Sequence, residues 1–248
     1  MASILSERTK ILMIKVASYN IHKAIGTDRR RNPGRIIDVL NEIDADVIAL
    51  QEADRRFGAR AAAIPEKLLE MQSDYRAIPL DVQIDSMGWH GNAILVKKSV
   101  EVLGHDIMHI PCLEPRGAIM AHFQINGQPL AVFGMHLDLS GLWRRRQAAA
   151  IVKLAQDKEQ DVPVVLMGDL NEWSAARGCL KDFTRAFEIV DCGRSFHSRN
   201  PIATLDRIMH SSSIRSSSAG VHDSPTARKA SDHLPVWANI IVDTVQDA

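Results

Sequence analysis

The heptapeptide MGDLNEW holds the residues in this sequence that are best placed to handle a water molecule. There the apolar run VPVVLM ends, and Asp169 and Asn171 follow two positions apart, directly after Gly168. An aspartate can accept a proton from water, and an asparagine can orient that water or a phosphate oxygen without adding charge. If the extended geometry continues, both side chains face the same side. The alternative is that Asp169 caps a turn.

Other apolar runs also end in polar residues of the kind that handles metals and phosphates. Loops at strand ends are where a rigid scaffold presents chemistry. Carboxylate and carboxamide oxygens suit Mg²⁺ or Mn²⁺, which leaves the histidines for proton transfer or for charge on a phosphoryl oxygen. The sequence has no HExxH motif and no cysteine cluster, which disfavours zinc. The residues delivered in this way are Asn20, Glu52 and His136, and Asp232 and His233 directly precede the last apolar run.

The elements that must position these residues alternate between strands and helices, without a regular βαβ series. Apolar patterning predicts strands at ILMIKVASYNI, VIALQE, NAILV, DVPVVLMGD and LPVWANIIV, and helices at RIIDVLNEI and RRRQAAAIVKLAQDK. IMAHFQI and LAVFGMH are predicted to form a hairpin around Asn126-Gly127. SSSIRSSSAG is interpreted as a solvent loop. This order predicts an α/β fold of mixed α+β character, with helices covering mixed or antiparallel sheets.

Length and composition set broad limits on the protein. With 248 residues and 46% hydrophobic content, we expect a single domain over residues 1–248, allowing for disorder in residues 1–10. The formal net charge is zero, which argues against a broad DNA-coating role. Three cysteines without a CxxC pair favour a reducing compartment, and no signal peptide or run of 18 apolar residues is found. We therefore expect a cytoplasmic protein and no protein partner.

The ordered set of motifs resembles the endonuclease/exonuclease/phosphatase superfamily, also called the DNase I-like fold. The matching pieces run in family order from Ser18 to Val236: SYNIH, ALQE, HGNAILV, GMHLDLS, GDLNEW, ATLDRIM and SDHLPV. GDLN and SDHLPV are the most specific of them. The resemblance implies a four-layer α/β/β/α sandwich of two packed mixed sheets.

The same resemblance implies a metal site and a water-holding pair. Glu52 would be the main ligand for Mg²⁺ or Mn²⁺, with Asn20 and Asp232 in the same cluster. Asp169 would activate or position the attacking water, and Asn171 would hold that water or a phosphate oxygen.

The remaining implied roles concern the phosphoryl group. His233 would bind it and stabilise the developing charge, and Asp206 would orient that histidine. His136 would contact the phosphate from the opposite side and aid the leaving group. No tyrosine matches the phosphate-contacting tyrosine of some abasic-site nucleases, which disfavours a DNA-repair role.

Several residues near these motifs are candidates for substrate recognition. Arginine grips phosphate with two parallel donors, and tryptophan can stack on a base or cover a headgroup. For His90 and the arginine runs the alternative is a solvated surface. The candidates are Arg116, Arg144, Trp143, Trp173 and His90, together with the arginine clusters Asp28–Arg31, Arg55–Arg56 and Arg144–Arg146.

These features predict a divalent-metal-dependent phosphoesterase that acts on a phosphodiester or phosphomonoester. Aromatic content of 5% and zero net charge favour a small or lipid-derived substrate over duplex DNA. Two alternatives stay open: a nuclease acting on DNA or RNA, and a catalytically silent protein that binds a phosphorylated ligand.

Overall fold

Two six-stranded sheets form the centre of the protein. The computed structural model describes residues 13–55, 61–80, 85–174 and 176–242. The described residues do not include residues 1–10, for which the sequence analysis allows disorder. They also do not include Arg56 of the second arginine cluster. The strands are β1 (Met13–Asn20), β2 (Val47–Gln51), β3 (Tyr75–Ala77), β4 (Ala93–Lys97), β5 (Glu101–Met108), β6 (Ala118–Ile125), β7 (Gln128–His136), β8 (Val164–Asp169), β9 (Glu188–Val190), β10 (Asp206–His210), β11 (Ile214–Val221) and β12 (Val236–Val242).

The strand order makes both sheets mixed. The first sheet runs β11-β12-β1-β2-β4-β3 and the second runs β5-β6-β7-β8-β10-β9. In each sheet one central pair is parallel, β1 with β2 and β7 with β8, and the other pairs are antiparallel. The parallel pairs place the ends of β1, β2, β7 and β8 in the interior of their sheets.

Helices cover the outer faces of the two sheets. They are α1 (Pro33–Ile43), α2 (Glu66–Gln72), α3 (Gly141–Glu159), α4 (Leu180–Phe183) and α5 (Ala227–Ala230). One apolar cluster lies between the sheets, a second joins the first sheet to α1, and a third joins the second sheet to α3 and α4. This is the expected α/β/β/α sandwich. No helix in the described part of the chain is long and apolar enough to cross a bilayer.

Local sequence explains several of these elements. α1 begins where the Asn32 side chain accepts a hydrogen bond from Arg35 N at 3.1 Å, with Pro33 next. The hairpin between β6 and β7 turns at Asn126 and Gly127, with φ of 52° and 80°. The predicted serine-rich loop is wrong: Ile214–Val221 is an edge strand, β11, paired along its length with β12. The segment is a strand because its backbone pairs with the buried strand β12, although its serine side chains face solvent.

Candidate active site

Three of the predicted site residues lie side by side across the second sheet. β7 and β8 are in register at His136 and Asp169, and β8 and β10 are in register at Asp169 and Asp206. Directly paired residues present their side chains on the same face of a sheet. The three side chains therefore form one row, and all of them are buried.

Asp169 lies at the centre of a converging set of polar groups. Its Oδ2 atom accepts a hydrogen bond from Asn20 Nδ2 at 3.0 Å. The same oxygen is 3.4 Å from His136 Nε2 and 3.8 Å from His233 Nε2. Asn20 ends β1 in the first sheet, so the site bridges the two sheets. A carboxylate in this position is oriented by partners on both sides.

Asp206 is hydrogen-bonded to His233. His233 Nδ1 lies 2.8 Å from Asp206 Oδ2, which also accepts a hydrogen bond from Ser195 Oγ at 2.5 Å. This bond fixes the imidazole so that Nε2 points toward Asp169. The Phe196 ring packs against the imidazole, with centroids 4.8 Å apart.

The pKa values of the two histidines beside Asp169 are shifted in opposite directions. Burial lowers the pKa of His233, but the carboxylates of Asp206 and Asp169 outweigh burial and raise it to about 10. Burial lowers the pKa of His136 to about 3, since the Asp169 carboxylate is opposed by the Arg116 cation and by His233. At neutral pH His233 is an imidazolium and His136 a neutral imidazole.

Arg116 is the cation next to His136. Its Nη1 contacts His136 Nε2 and donates to Leu137 O at 3.2 Å, while Nε pairs with Glu114 Oε2 at 3.3 Å. Arg116, His136 and Glu52 line one cleft, which His90 and Lys23 also border. The predicted substrate residues Arg116 and His90 therefore share a cleft with predicted catalytic and metal residues.

Glu52 follows β2 in a left-handed backbone conformation, with φ of 54°. Non-glycine residues rarely adopt this conformation, and it clusters at functional sites. Gly91 lies over it at φ 82°, where an added Cβ would be 3.5 Å from Glu52 Cα. The Glu52 carboxylate contacts Lys23 Nζ.

Asn20 and Asp232 lie close to each other through Ser231. Ser231 Oγ donates to Asn20 O at 2.7 Å and lies 3.3 Å from Asp232 Oδ1. Asp232 Oδ1 is also 3.7 Å from His22 Nδ1. The half-exposed Asp232 carboxylate therefore sits beside the end of β1.

The available donors fit a hard divalent cation. Ligand atoms of Asp169, Asp206 and His233 lie within 4.8 Å of one another, and Asp206 Oδ1 is buried without a hydrogen-bond partner. Asp206 Oδ2, however, is already engaged by His233 and Ser195. The half-exposed carboxylates of Glu52 and Asp232 leave more room for the waters that Mg²⁺ retains.

Asn171 does not continue the extended strand. Its φ is 50°, its backbone N–H donates to Asp169 Oδ1 at 2.9 Å, and its Nδ2 donates to Leu137 O at 2.9 Å. Asn171 thus holds the Asp169 carboxylate with its backbone. Gly168 permits a close approach, since a Cβ there would lie 1.9 Å from Met135 O.

The remaining substrate candidates differ in their surroundings. Arg144 donates to Leu139 O at 2.6 Å and pairs with Glu172 at 3.5 Å, so its guanidinium joins two loops. The Arg146 guanidinium covers the Trp143 ring at 4.9 Å. Trp173 is exposed and lies edge-on to Phe196, with centroids 5.8 Å apart. All four residues of the first arginine cluster, Asp28–Arg31, are exposed.

Sequence reasoning missed three residues of this site. Lys23 forms an ion pair with Glu52, Ser195 donates a hydrogen bond to Asp206, and the Phe196 ring packs against His233. None of them stands in a strand-end pattern or in a motif quoted for its chemistry. The one available signal was that Lys23 directly follows SYNIH.

Comparison with known proteins places these features in a family. The family model described as "Endonuclease/Exonuclease/phosphatase family" matches residues 17–233. No curated protein matches the chain. Solved structures share the fold at low identity. A Bacteroides vulgatus protein of that description has a TM-score of 0.73 and 18% identity, covering 93% of this chain and 99% of its own.

Two further structures carry more specific descriptions. A mannosyl-6-phosphatase from Bacteroides thetaiotaomicron has a TM-score of 0.71 and 19% identity, covering 92% of this chain and 99% of its own. TDP2 of D. rerio, in complex with a single-stranded DNA product, has a TM-score of 0.71 and 17% identity, covering 92% and 98%. At these identities the likeness shows the fold alone.

Proposed function

The chain belongs to the endonuclease/exonuclease/phosphatase family, and on that premise we propose that it is a divalent-metal-dependent phosphoric ester hydrolase. The observation that carries the proposal is the convergence on Asp169 Oδ2 of the Asn20 amide and two histidines in opposite protonation states. A carboxylate with a purely structural role would not need two neighbouring histidines whose pKa values are shifted in opposite directions.

In the proposed reaction, Asp169 holds the attacking water and accepts its proton. Asn20 and the Asn171 backbone fix the two oxygens of its carboxylate, so the acceptor is oriented before substrate binds. The His233 imidazolium, held by Asp206, donates a hydrogen bond to a phosphoryl oxygen and stabilises the charge that develops there.

His136 has a different role in this proposal. Because its imidazole is neutral, it serves as a polar contact to the phosphate, and the Arg116 cation beside it supplies the positive charge in the cleft. To protonate the leaving group, His136 would first have to be an imidazolium, and at neutral pH it is a neutral imidazole.

Mg²⁺ or Mn²⁺ is the proposed ion, with Glu52, Asn20 and Asp232 as the residues that would hold it. The ion would supply charge neutralisation at the phosphoryl oxygens. Lys23 contacts the Glu52 carboxylate, so a bound ion would share that carboxylate with Lys23.

The substrate we propose is a small or lipid-derived phosphate ester. Zero net charge supports a compact ligand over duplex DNA, and the cleft lined by Glu52, Arg116 and His136 offers such a ligand a place to bind. A nuclease is the second candidate, favoured by the exposed Trp173 and the exposed arginines of Asp28–Arg31. We also propose a cytoplasmic location, supported by the three free cysteines.

The test is metal-dependent hydrolysis of bis-p-nitrophenyl phosphate and p-nitrophenyl phosphate, followed by inositol phosphates, phospholipids and plasmid DNA. We expect turnover with Mg²⁺ or Mn²⁺, and a loss of about 10³-fold or more in Asp169→Asn, since the proton acceptor is removed. Arg177→Gln is a control outside the site. No turnover of any of these compounds with either ion would refute the proposal and favour the silent phosphate-binding alternative.

A further inference from the structure

Five exposed apolar side chains lie on segments that adjoin the candidate active site. Among the described residues, nine large apolar side chains are exposed, and four of them lie on strand or helix surfaces. The other five lie at the start of α3 or on loops that follow β5, β7, β8 and β9. We call these five the apolar rim: Leu113 (65% exposed), Leu139 (59%), Leu142 (51%), Trp173 (62%) and Ile202 (63%). Such a group of exposed apolar side chains marks an interaction surface.

Buried polar groups hold the rim segments in place. The Asp138 carboxylate accepts hydrogen bonds from Leu113 N at 3.1 Å and from Ser140 N at 2.9 Å. Arg144 then joins Leu139 O, at 2.6 Å, to the Glu172 carboxylate, at 3.5 Å, just before Trp173. The apolar tips are thus presented outward from a fixed backbone.

The rim is continuous with the catalytic residues. Trp173 lies edge-on to Phe196, whose ring packs 4.8 Å from His233 between centroids. Ile202 N donates to Phe196 O at 2.7 Å. A ligand seated on the rim would therefore have its polar end within reach of His233.

The chemistry of the rim fits an anionic lipid surface. Three of its five side chains are leucines, which insert among acyl chains but cannot stack on bases. Arg145 and Arg146 are exposed on the first turns of α3, beside Leu142. Because the whole chain has zero net charge, these arginines supply a local attraction to acidic headgroups.

We propose that the apolar rim docks the active site onto an anionic lipid bilayer, so that the phosphate ester of a lipid headgroup reaches Asp169 and His233. This inference rests on the proposed hydrolase function, whose substrate class it narrows to lipids in a membrane. Leucine and tryptophan insertion supplies the adhesion, and Arg145 and Arg146 supply the preference for acidic lipids.

The test is co-sedimentation of the full chain with phosphatidylcholine vesicles, with and without phosphatidylserine. We expect binding to the phosphatidylserine vesicles that weakens with added salt. The double variant Leu139→Ser/Leu142→Ser should bind about tenfold more weakly, because two inserted side chains are lost. The matched control is Leu103→Ser/Met71→Ser, which removes two exposed apolar side chains on β5 and α2, outside the rim, and should bind as wild type does.

Turnover of bis-p-nitrophenyl phosphate separates the two proposals. It should be equal in wild type and both double variants, because neither changes a site residue. Wild-type protein that hydrolyses this compound but does not bind vesicles would overturn the docking proposal alone. Equal vesicle binding by the rim variant would also overturn it, as would rim-dependent binding of single-stranded DNA in place of vesicles.

Discussion

At the scale of single residues, the site depends on two histidines that have the same intrinsic chemistry, one of them charged and the other neutral. His233 has Asp206 on Nδ1 and Asp169 near Nε2, and both carboxylates favour the imidazolium. His136 also lies near Asp169, but the Arg116 cation opposes the effect of that carboxylate, so burial lowers the pKa of His136. The neighbours of each ring decide which one can stabilise negative charge.

Replacing Asp206 by asparagine should shift the alkaline limb of the pH–rate profile. In wild type the His233 pKa is raised to about 10, so activity that needs the imidazolium falls only as pH rises through that value. Asp206→Asn removes one carboxylate, and burial, which lowers the pKa, is then opposed mainly by Asp169. The limb should move to lower pH by at least about one unit. The measurement is kcat/KM for bis-p-nitrophenyl phosphate with Mg²⁺ from pH 6 upward.

Ser195→Ala provides the control for that experiment. It removes the 2.5 Å hydrogen bond to Asp206 but keeps the carboxylate charge, so the limb should stay close to its wild-type position. An unchanged limb in Asp206→Asn would show that another group titrates there.

At the scale of elements, the sequence predicts buried strands better than edge strands. The runs that became β1, β2, β4, β8 and β12 are apolar because they pack between layers. β11 is rich in serine and was predicted as a loop, since only its hydrogen bonds to β12 make it a strand. Pairing with a distant segment leaves no local apolar pattern.

The same reasoning explains which site residues could be predicted. Asp169, His136 and Asp206 end or begin strands, and their positions in motifs identified them. Lys23 and Ser195 belong to the site through contacts with Glu52 and Asp206. Such contacts depend on how the loops fold back onto the strands, so the sequence shows no spacing that predicts them.

Gly168→Ala should destabilise the fold through the β7–β8 pair. An added Cβ would lie 1.9 Å from Met135 O, a backbone atom that can move only if the parallel strands separate. We expect a loss of roughly 3 kcal/mol in the free energy of unfolding, measured by urea denaturation of the metal-free protein. Activity should fall as well, because Asp169 follows directly.

Gly104→Ala is the matched control, since a Cβ at this position in β5 meets no atom within 4 Å. Its free energy of unfolding should stay within about 0.5 kcal/mol of wild type. Similar stabilities for the two variants would show that β7 and β8 tolerate separation at this point.

At the scale of the whole molecule, the site lies where the two sheets meet. Asn20 ends a strand of the first sheet and Glu52 directly follows another, whereas His136 and Asp169 end strands of the second. The Asn20–Asp169 hydrogen bond crosses between them. A cation held at this junction would be bound by the folded chain and not by the unfolded one, so binding would stabilise the sandwich.

Mn²⁺ should therefore raise the melting temperature of the metal-free protein. At a concentration about 100 times Kd the stabilisation is about 2.7 kcal/mol, or roughly 5–10 °C for a chain of this size. Glu52→Gln should weaken binding at least tenfold and so reduce the gain to about 1.4 kcal/mol or less. In EDTA the variant should melt close to wild type, since the Glu52–Lys23 pair that it loses is half-exposed and contributes little.

The control is Glu101→Gln, which changes an exposed acid on β5 and should respond to Mn²⁺ as wild type does. If Glu52→Gln gained as much stability from Mn²⁺ as wild type does, the ion would bind elsewhere.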